Sequence, residues 1–182
     1  RNVLDAAHEH EVEKLINLGS SCIYPKYAEQ PITETSLLTG ALEPTNEAYA
    51  LAKIAGIKLG QYYFEQHKRK FISVMPTNLY GPYDKFDAEK SHVIPALIYK
   101  MHQAKQKNNT EVELWGSGEP LREFLYVEDL ADALIFILKH YEGSLPINIG
   151  SGEEISIRDL ADKVKHVVCL LYTSDAADDT SR

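Results

Sequence analysis

Two short, almost wholly apolar runs, KLINLG (Lys14 to Gly19) and FISVM (Phe71 to Met75), flank one long helical stretch, and this order limits what the chain can become. Runs of that length, stopped by glycine and serine in one case and by Pro76 in the other, read as strands of a parallel sheet buried on both faces. Between them, after a proline-bearing loop from Tyr24 to about Pro44, Thr45 stands where an N-cap would and Asn46 to Gln66 reads as helix. Tyr49, Ala52, Gly56, Leu59 and Tyr63 share one face of it, and Leu51, Ile54 and Ile57 make the opposite side apolar too. A helix apolar nearly all round is expected between a sheet and a second partner, such as the same helix of another subunit.

The alternation continues. A helical pattern opens the chain (Val3, Leu4, Ala7, Val12), and His92 to Ala104 reads as helix. Glu111 to Trp115 (EVELW) reads as a short strand and Gly116-Ser117-Gly118 as a turn. Val127 to His140 is a helix with Glu128 and Asp129 in its first turn, where they suit the helix dipole. Pro146 to Gly150 is a last strand and Ile157 to Val168 a last helix. Strands alternating with helices give an α/β protein with a mostly parallel sheet.

Composition removes other classes. With 182 residues, 44% hydrophobic and 25% charged, the chain has a globular balance. A net charge of −8 argues against nucleic acid as the main partner. No apolar run nears the ~18–20 residues of a membrane span, and the first stretch lacks the apolar core of a signal peptide, so a cytoplasmic protein is expected. Two cysteines make no disulfide framework, and no ligand spacing suggests a metal.

The chemistry gathers around Ser20, Tyr49 and Lys53. Gly19-Ser20-Ser21 ends a strand, where ligands of open α/β sheets bind. Tyr49 and Lys53 stand four apart, one turn along the same helix face. A phenol, with a reference pKa of ~10, becomes a useful proton carrier near neutrality when a cation stabilises its anion. A serine hydroxyl can hold the substrate oxygen that exchanges that proton. The bland alternative is a buried tyrosine beside a lysine whose stem packs and whose ammonium reaches water.

The segments GSSCIYP (Gly19 to Pro25), EPTNEAYALAKIAGIKL (Glu43 to Leu59), MPTNLYGPYD (Met75 to Asp84), SHVIPALI (Ser91 to Ile98) and WGSGEPLREFLYVEDLADA (Trp115 to Ala133) closely resemble the GDP-L-fucose synthase family of the extended short-chain dehydrogenases/reductases. The resemblance runs to about Val168 and implies a partial Rossmann-type, doubly wound parallel sheet with part of a smaller C-terminal substrate domain. Residues 1–80 would be the second half of the NADP-binding domain, 81–126 mainly substrate domain, 127–150 a return to the Rossmann domain, and 151–168 substrate domain again.

The family's reaction is NADPH-dependent: 3,5-epimerisation of GDP-4-dehydro-6-deoxy-D-mannose, then reduction of its 4-keto group to GDP-L-fucose. By resemblance Tyr49 is the general acid for the ketone oxygen, Lys53 tunes it and binds the nicotinamide ribose, and Ser20 holds the oxygen. Cys22 and His92 are the epimerisation base and acid. A thiol (~8.5) and an imidazole (~6.5) both exchange protons near neutrality, though a cysteine is also a small buried hydrophobe and a histidine a helix-start residue. The cofactor contacts implied are Leu18, Gly19, Ser20, Ser21, Lys53, Pro76, Thr77, Asn78, Leu79 and His92. Those to the GDP-sugar are Lys100, Trp115 and Arg122, with Trp115 equally readable as a core plug. Arg122 offers a planar fork suited to a diphosphate. The parent is expected to be a homodimer pairing through the helix of Tyr49.

Three features depart from that pattern. The family's glycine-rich phosphate loop does not occur, and the chain opens without methionine inside a helical pattern, so it reads as an internal fragment, inactive alone. Cys169 to Arg182 reads as translated sequencing-adaptor DNA, a non-native tail; a polar disordered tail is the other reading. Two rivals remain: another nucleotide-sugar epimerase or dehydratase of the superfamily, which would not require Cys22 or His92, and a non-catalytic nucleotide-sugar-binding protein.

Overall fold

The computed structural model describes residues 2–178 apart from 89, 110 and 115, with the backbone alone for 169–178. It divides into two compact units. One comprises the residues up to Leu79 together with Leu125–Ser151, and the other Tyr80–Phe124 together with the residues from Gly152 onward.

The first unit is a parallel three-stranded sheet covered on both faces. Strand β1 (Lys14–Leu18) pairs in parallel with β2 (Lys70–Pro76), which pairs in parallel with β5 (Ile147–Ile149), in the order β1-β2-β5. Side chains alternate across such a sheet. Leu15 and Phe71 meet Leu4 and Ala7 of helix α1 (Asn2–Glu9), with Leu59 and Tyr63 of α2 (Glu47–His67) beside them. Ile16, Ile72 and Val74 point the other way, onto Leu134 and Ile137 of α4 (Val127–His140).

The central position of β2 corrects the expectation of two doubly buried strands. Every residue of β2 from Phe71 to Pro76 is buried, whereas β1 is half-buried and its Leu18 exposed, because among the described residues β1 has a strand neighbour on one side only. Glycine lets α2 come close. A Cβ on Gly60 would lie 2.9 Å from the Phe71 carbonyl oxygen, so the helix could not sit at this depth with a larger residue.

Helix α2 is also not buried all round. Ala50, Ile54, Ile57 and Gly60 are buried, but Leu51 and Tyr62 are each 52% exposed. One sheet covers one face, and the second apolar face is open. Its N-cap is Asn46, not Thr45; the Asn46 N–H donates to Glu43 O at 3.0 Å, and the Thr45 groups bond the Glu43 carboxylate.

At the amino ends of the strands, β1 and β2 both begin with lysine, in register. The Glu142 carboxylate bridges them, accepting from Lys14 Nζ at 2.5 Å and from Lys70 Nζ. Lys14 Nζ also donates to Leu138 O (3.0 Å) and Tyr141 O (3.2 Å) at the end of α4. Hydrogen bonds from Lys14, then Lys70, hold the Glu142 carboxyl down at about 2.

The second unit packs α3 (Val93–Gln106) against α5 (Ile157–Asp178), with Leu97, Met101, Leu160 and Ala161 buried between them. Leu121, Arg122 and Glu123 of β4 (Leu121–Tyr126) pair antiparallel with β6 (Glu154–Ser156) within this unit; the strand order is β3-β4-β6, and β3 (Asn78–Tyr80) and the end of β4 run into the first unit. Two expectations change here. Residues 111–114 form no strand: β4 lies between β3 and β6, and Val112 packs against the helix pair instead. Helix α5 runs on past Val168 to Asp178. Once nucleated, each added residue brings a hydrogen bond without needing an apolar face.

Candidate active site

In the first unit Leu18 lies opposite Val74, so β1 and β2 release the chain at the same, carboxyl, end of the sheet. Gly19 prolongs the ladder, its N–H donating to Val74 O at 2.7 Å. A Cβ on it would stand 3.0 Å from that oxygen and 3.2 Å from Met75 Cγ. Ser20 follows in extended backbone (φ −167°, ψ 149°) and caps a one-turn 3-10 helix, Ser21–Ile23. Its Oγ accepts from the Cys22 N–H at 3.3 Å. As an acceptor it keeps its own proton to donate. Cys22, at the middle of that turn, is a free and exposed thiol, not the buried hydrophobe.

Helix α2 supplies Tyr49 and Lys53. Lys53 Nζ donates to the Leu18 carbonyl at 2.7 Å and lies 5.6 Å from the centroid of the Tyr49 ring. One of three ammonium protons is thereby used, and two stay available. Tyr49 is 49% exposed, so this is an open face and not a buried tyrosine beside a lysine.

Where β2 ends, Pro76 is buried and the Thr77 N–H donates to Ile149 O at 3.0 Å. Thr77 Oγ1 is buried and has no hydrogen-bond partner, the one such side-chain atom among the described residues. Asn78 is exposed and Leu79 half-buried. An orphaned hydroxyl, an ammonium and the exposed Leu18 at one end of a parallel sheet suit the nicotinamide–ribose half of a dinucleotide. The leucine offers the ring an apolar surface, and the polar groups offer partners to amide and hydroxyls.

In the second unit His92 is the N-cap residue of α3 (φ −63°, ψ 166°). It is exposed, and its side chain makes no capping bond. Its carbonyl accepts from the Ala96 N–H at 3.0 Å. Lys100 lines a cavity of about 140 Å³ with Ser91, Val93, Leu97, Leu114 and Ile157. Arg122 is exposed on β4, with Nη1 donating to Leu121 O at 2.7 Å. Trp115 lies outside the described residues.

A cavity of about 640 Å³ lies within the loop of residues 25–41 and is lined by none of the residues expected at the site. That loop is tied down by groups the sequence did not single out. Tyr24 Oη donates to Asn148 Oδ1 at 2.5 Å, and Asn148 N–H donates to Glu34 Oε1 at 2.8 Å. Burial, then the Glu34 charge, push the Tyr24 phenol up to about 12 against the opposing pull of its bond to Asn148. Separations of 114 to 124 residues leave no local spacing to reveal such bonds.

Residues 1–150 match the model of the NAD-dependent epimerase/dehydratase family. The chain is 60% identical over 183 residues to a GDP-L-fucose synthase of Sinorhizobium fredii, covering 100% of this chain and 57% of that relative. It is 47% identical over 161 residues to a GDP-L-colitose synthase of Yersinia pseudotuberculosis, covering 87% of this chain and 52% of the relative. A crystal structure of a GDP-L-fucose synthetase from Naegleria fowleri bound to NADP is similar at a TM-score of 0.85 and 37% identity, covering 91% of this chain and 53% of that one. The chain thus spans little more than half the length of the relatives it matches.

Proposed function

The chain belongs to the NAD-dependent epimerase/dehydratase family, and on that premise we propose that it is part of an NADPH-dependent enzyme making GDP-L-fucose from GDP-4-dehydro-6-deoxy-D-mannose. The observation that carries this is the Lys53 ammonium, anchored on the Leu18 carbonyl beside the Tyr49 ring, just before the turn that holds Ser20 and Cys22.

In this reading Ser20 Oγ–H and the Tyr49 phenol both bond the sugar's C4 oxygen, and the phenol gives it a proton as that oxygen becomes a hydroxyl. NADPH, when bound, supplies the hydride to C4, and Leu18, Lys53 and Thr77 are among the residues that would hold it. Cys22 takes the proton from C3 and C5, which the adjacent ketone acidifies, and His92 returns one from the opposite face. Lys100 and Arg122 hold the GDP diphosphate, with Trp115 against sugar or base. The open face of α2 pairs two copies into a homodimer, and the enzyme works in the cytoplasm; among the described residues no helix is long and apolar enough to cross a membrane.

The test is a chimera in which residues 1–168 replace the matching segment of the Sinorhizobium fredii relative. It should consume NADPH only with the 4-keto sugar present and yield GDP-L-fucose. A chimera that folds and binds NADPH but leaves the sugar unchanged rejects the reading. The relative named GDP-L-colitose synthase supports a second one, a different GDP-4-keto sugar, which the same assay distinguishes by its preferred substrate.

A further inference from the structure

We propose that Asn148 is a positioning residue for Cys22, acting through Tyr24; the assignment rests on the epimerase reading above. Strand β5 is an edge strand, and an edge leaves backbone donors without a ladder partner. Asn148 gives that N–H to Glu34 Oε1 at 2.8 Å. Its side-chain Nδ2 donates to Ile32 O at 3.1 Å, and its Oδ1 accepts from Tyr24 Oη at 2.5 Å. One asparagine therefore fastens both the start and the far side of the loop that follows β1.

The connection to Cys22 is short. The Tyr24 N–H closes the 3-10 turn on Ser21 O at 3.3 Å, with Cys22 in the middle of that turn. Ile23 and Tyr24 are buried against Ile54, Ile57 and Met75, so the turn has an apolar floor as well as the bond from the phenol. An apolar floor resists lifting but allows sliding. A directional bond from the phenol to a strand residue fixes the rotation of the turn, and so where the Cys22 sulfur stands. Glu34 faces the same phenol from its own 3-10 turn, Glu34–Ser36.

The test has two arms, with Tyr24→Phe, which keeps the buried ring, and Asn148→Ala. In the purified chain, amide hydrogen exchange should quicken at least tenfold at Ile23, Tyr24 and Leu37 and stay unchanged in β1 and α4. Uniform quickening throughout the first unit would mean only lost stability and would overturn the proposal. In the chimera, the kcat for solvent deuterium uptake at C3 and C5 should fall at least tenfold with KM unchanged, and the double variant should fall no further than Asn148→Ala alone. Wild-type uptake in Tyr24→Phe, or a rise in KM alone, overturns the assignment. If the unsubstituted chimera takes up no deuterium, the epimerase reading fails and the link to Cys22 falls with it. The exchange arm still decides whether Asn148 holds the turn.

Discussion

Lys53 Nζ lies 2.7 Å from the carbonyl oxygen of Leu18, which joins the helix carrying the candidate proton donor to the last residue of the strand that leads to Ser20. The contact fixes the ammonium beside the Tyr49 ring, 5.6 Å from its centroid. Replacing Lys53 by Met should lower the rate of NADPH oxidation in the chimera by about 100-fold or more, the scale expected when a proton-transfer group loses its support. Lys53→Arg should recover only part of it, because a planar guanidinium cannot meet the carbonyl and the ring in the same way.

Cys22 and Tyr49 should separate the two half-reactions. Cys22→Ser is expected to slow deuterium uptake at C3 and C5 by about 100-fold or more, whereas Tyr49→Phe should stop reduction and leave that uptake in place. Mass spectrometry of the sugar after incubation in deuterium oxide, without and then with NADPH, reads both. Wild-type deuterium uptake at C3 and C5 in Cys22→Ser would remove it from the base role.

Two glycines of α2 make opposite predictions about stability. Alanine in a helix interior gains about 1 kcal/mol over glycine. At Gly60 the new Cβ would meet the Phe71 backbone oxygen at 2.9 Å, which cannot move without shifting β2, so Gly60→Ala should lower unfolding stability by about 1–2 kcal/mol. At Gly56 the nearest atom is Asn17 Nδ2 at 3.3 Å, which needs to give by only a few tenths of an ångström and can do so while keeping its bond to Ser73 Oγ (3.2 Å), so Gly56→Ala should be neutral or stabilising by up to about 1 kcal/mol. Urea unfolding of the two variants decides.

Parts of this architecture were legible from the sequence and parts were not. FISVM announces β2 because a strand with neighbours on both sides and helices on both faces is apolar wherever no partner satisfies a polar group, and its one polar residue, Ser73, accepts from Asn17 Nδ2 at 3.2 Å. Tyr49 and Lys53 stand out because their relation is local, one helical turn. EVELW alternates as a strand should, yet the place beside β6 is taken by LREFLY, whose Arg122 and Glu123 mask its apolar positions. Pairing partners more than 30 residues apart leave no trace in a short window, and neither does the Tyr24–Asn148 bond.

Glu142 makes the first unit sensitive to acid. Its carboxyl titrates at about 2 in the fold against an ordinary 4.5, held down by Lys14 and then Lys70. A depressed carboxyl contributes its stabilisation above about pH 4.5 and loses it as pH falls toward 2. The stability difference between wild type and Glu142→Gln should therefore be constant from neutrality to about pH 5 and shrink steadily below it. Thermal unfolding followed across that range measures it.

Lys100 and Arg122 should act on substrate affinity. Arg122→Ala is expected to raise KM for the GDP-sugar about tenfold or more with little change for NADPH, and Lys100→Ala to raise it less. A change in NADPH affinity alone would show that Arg122 is misassigned.

The first unit is discontinuous in sequence, with β1 and β2 lying before Leu79 and α4 and β5 after Leu125. On the ribosome, β2 emerges with one neighbour only and with the face formed by Ile72 and Val74 bare. That face waits through the synthesis of the whole intervening stretch before α4 arrives to cover it. The nascent chain thus carries an apolar strand face unshielded for longer than a continuous domain would, the kind of transient exposure that favours aggregation.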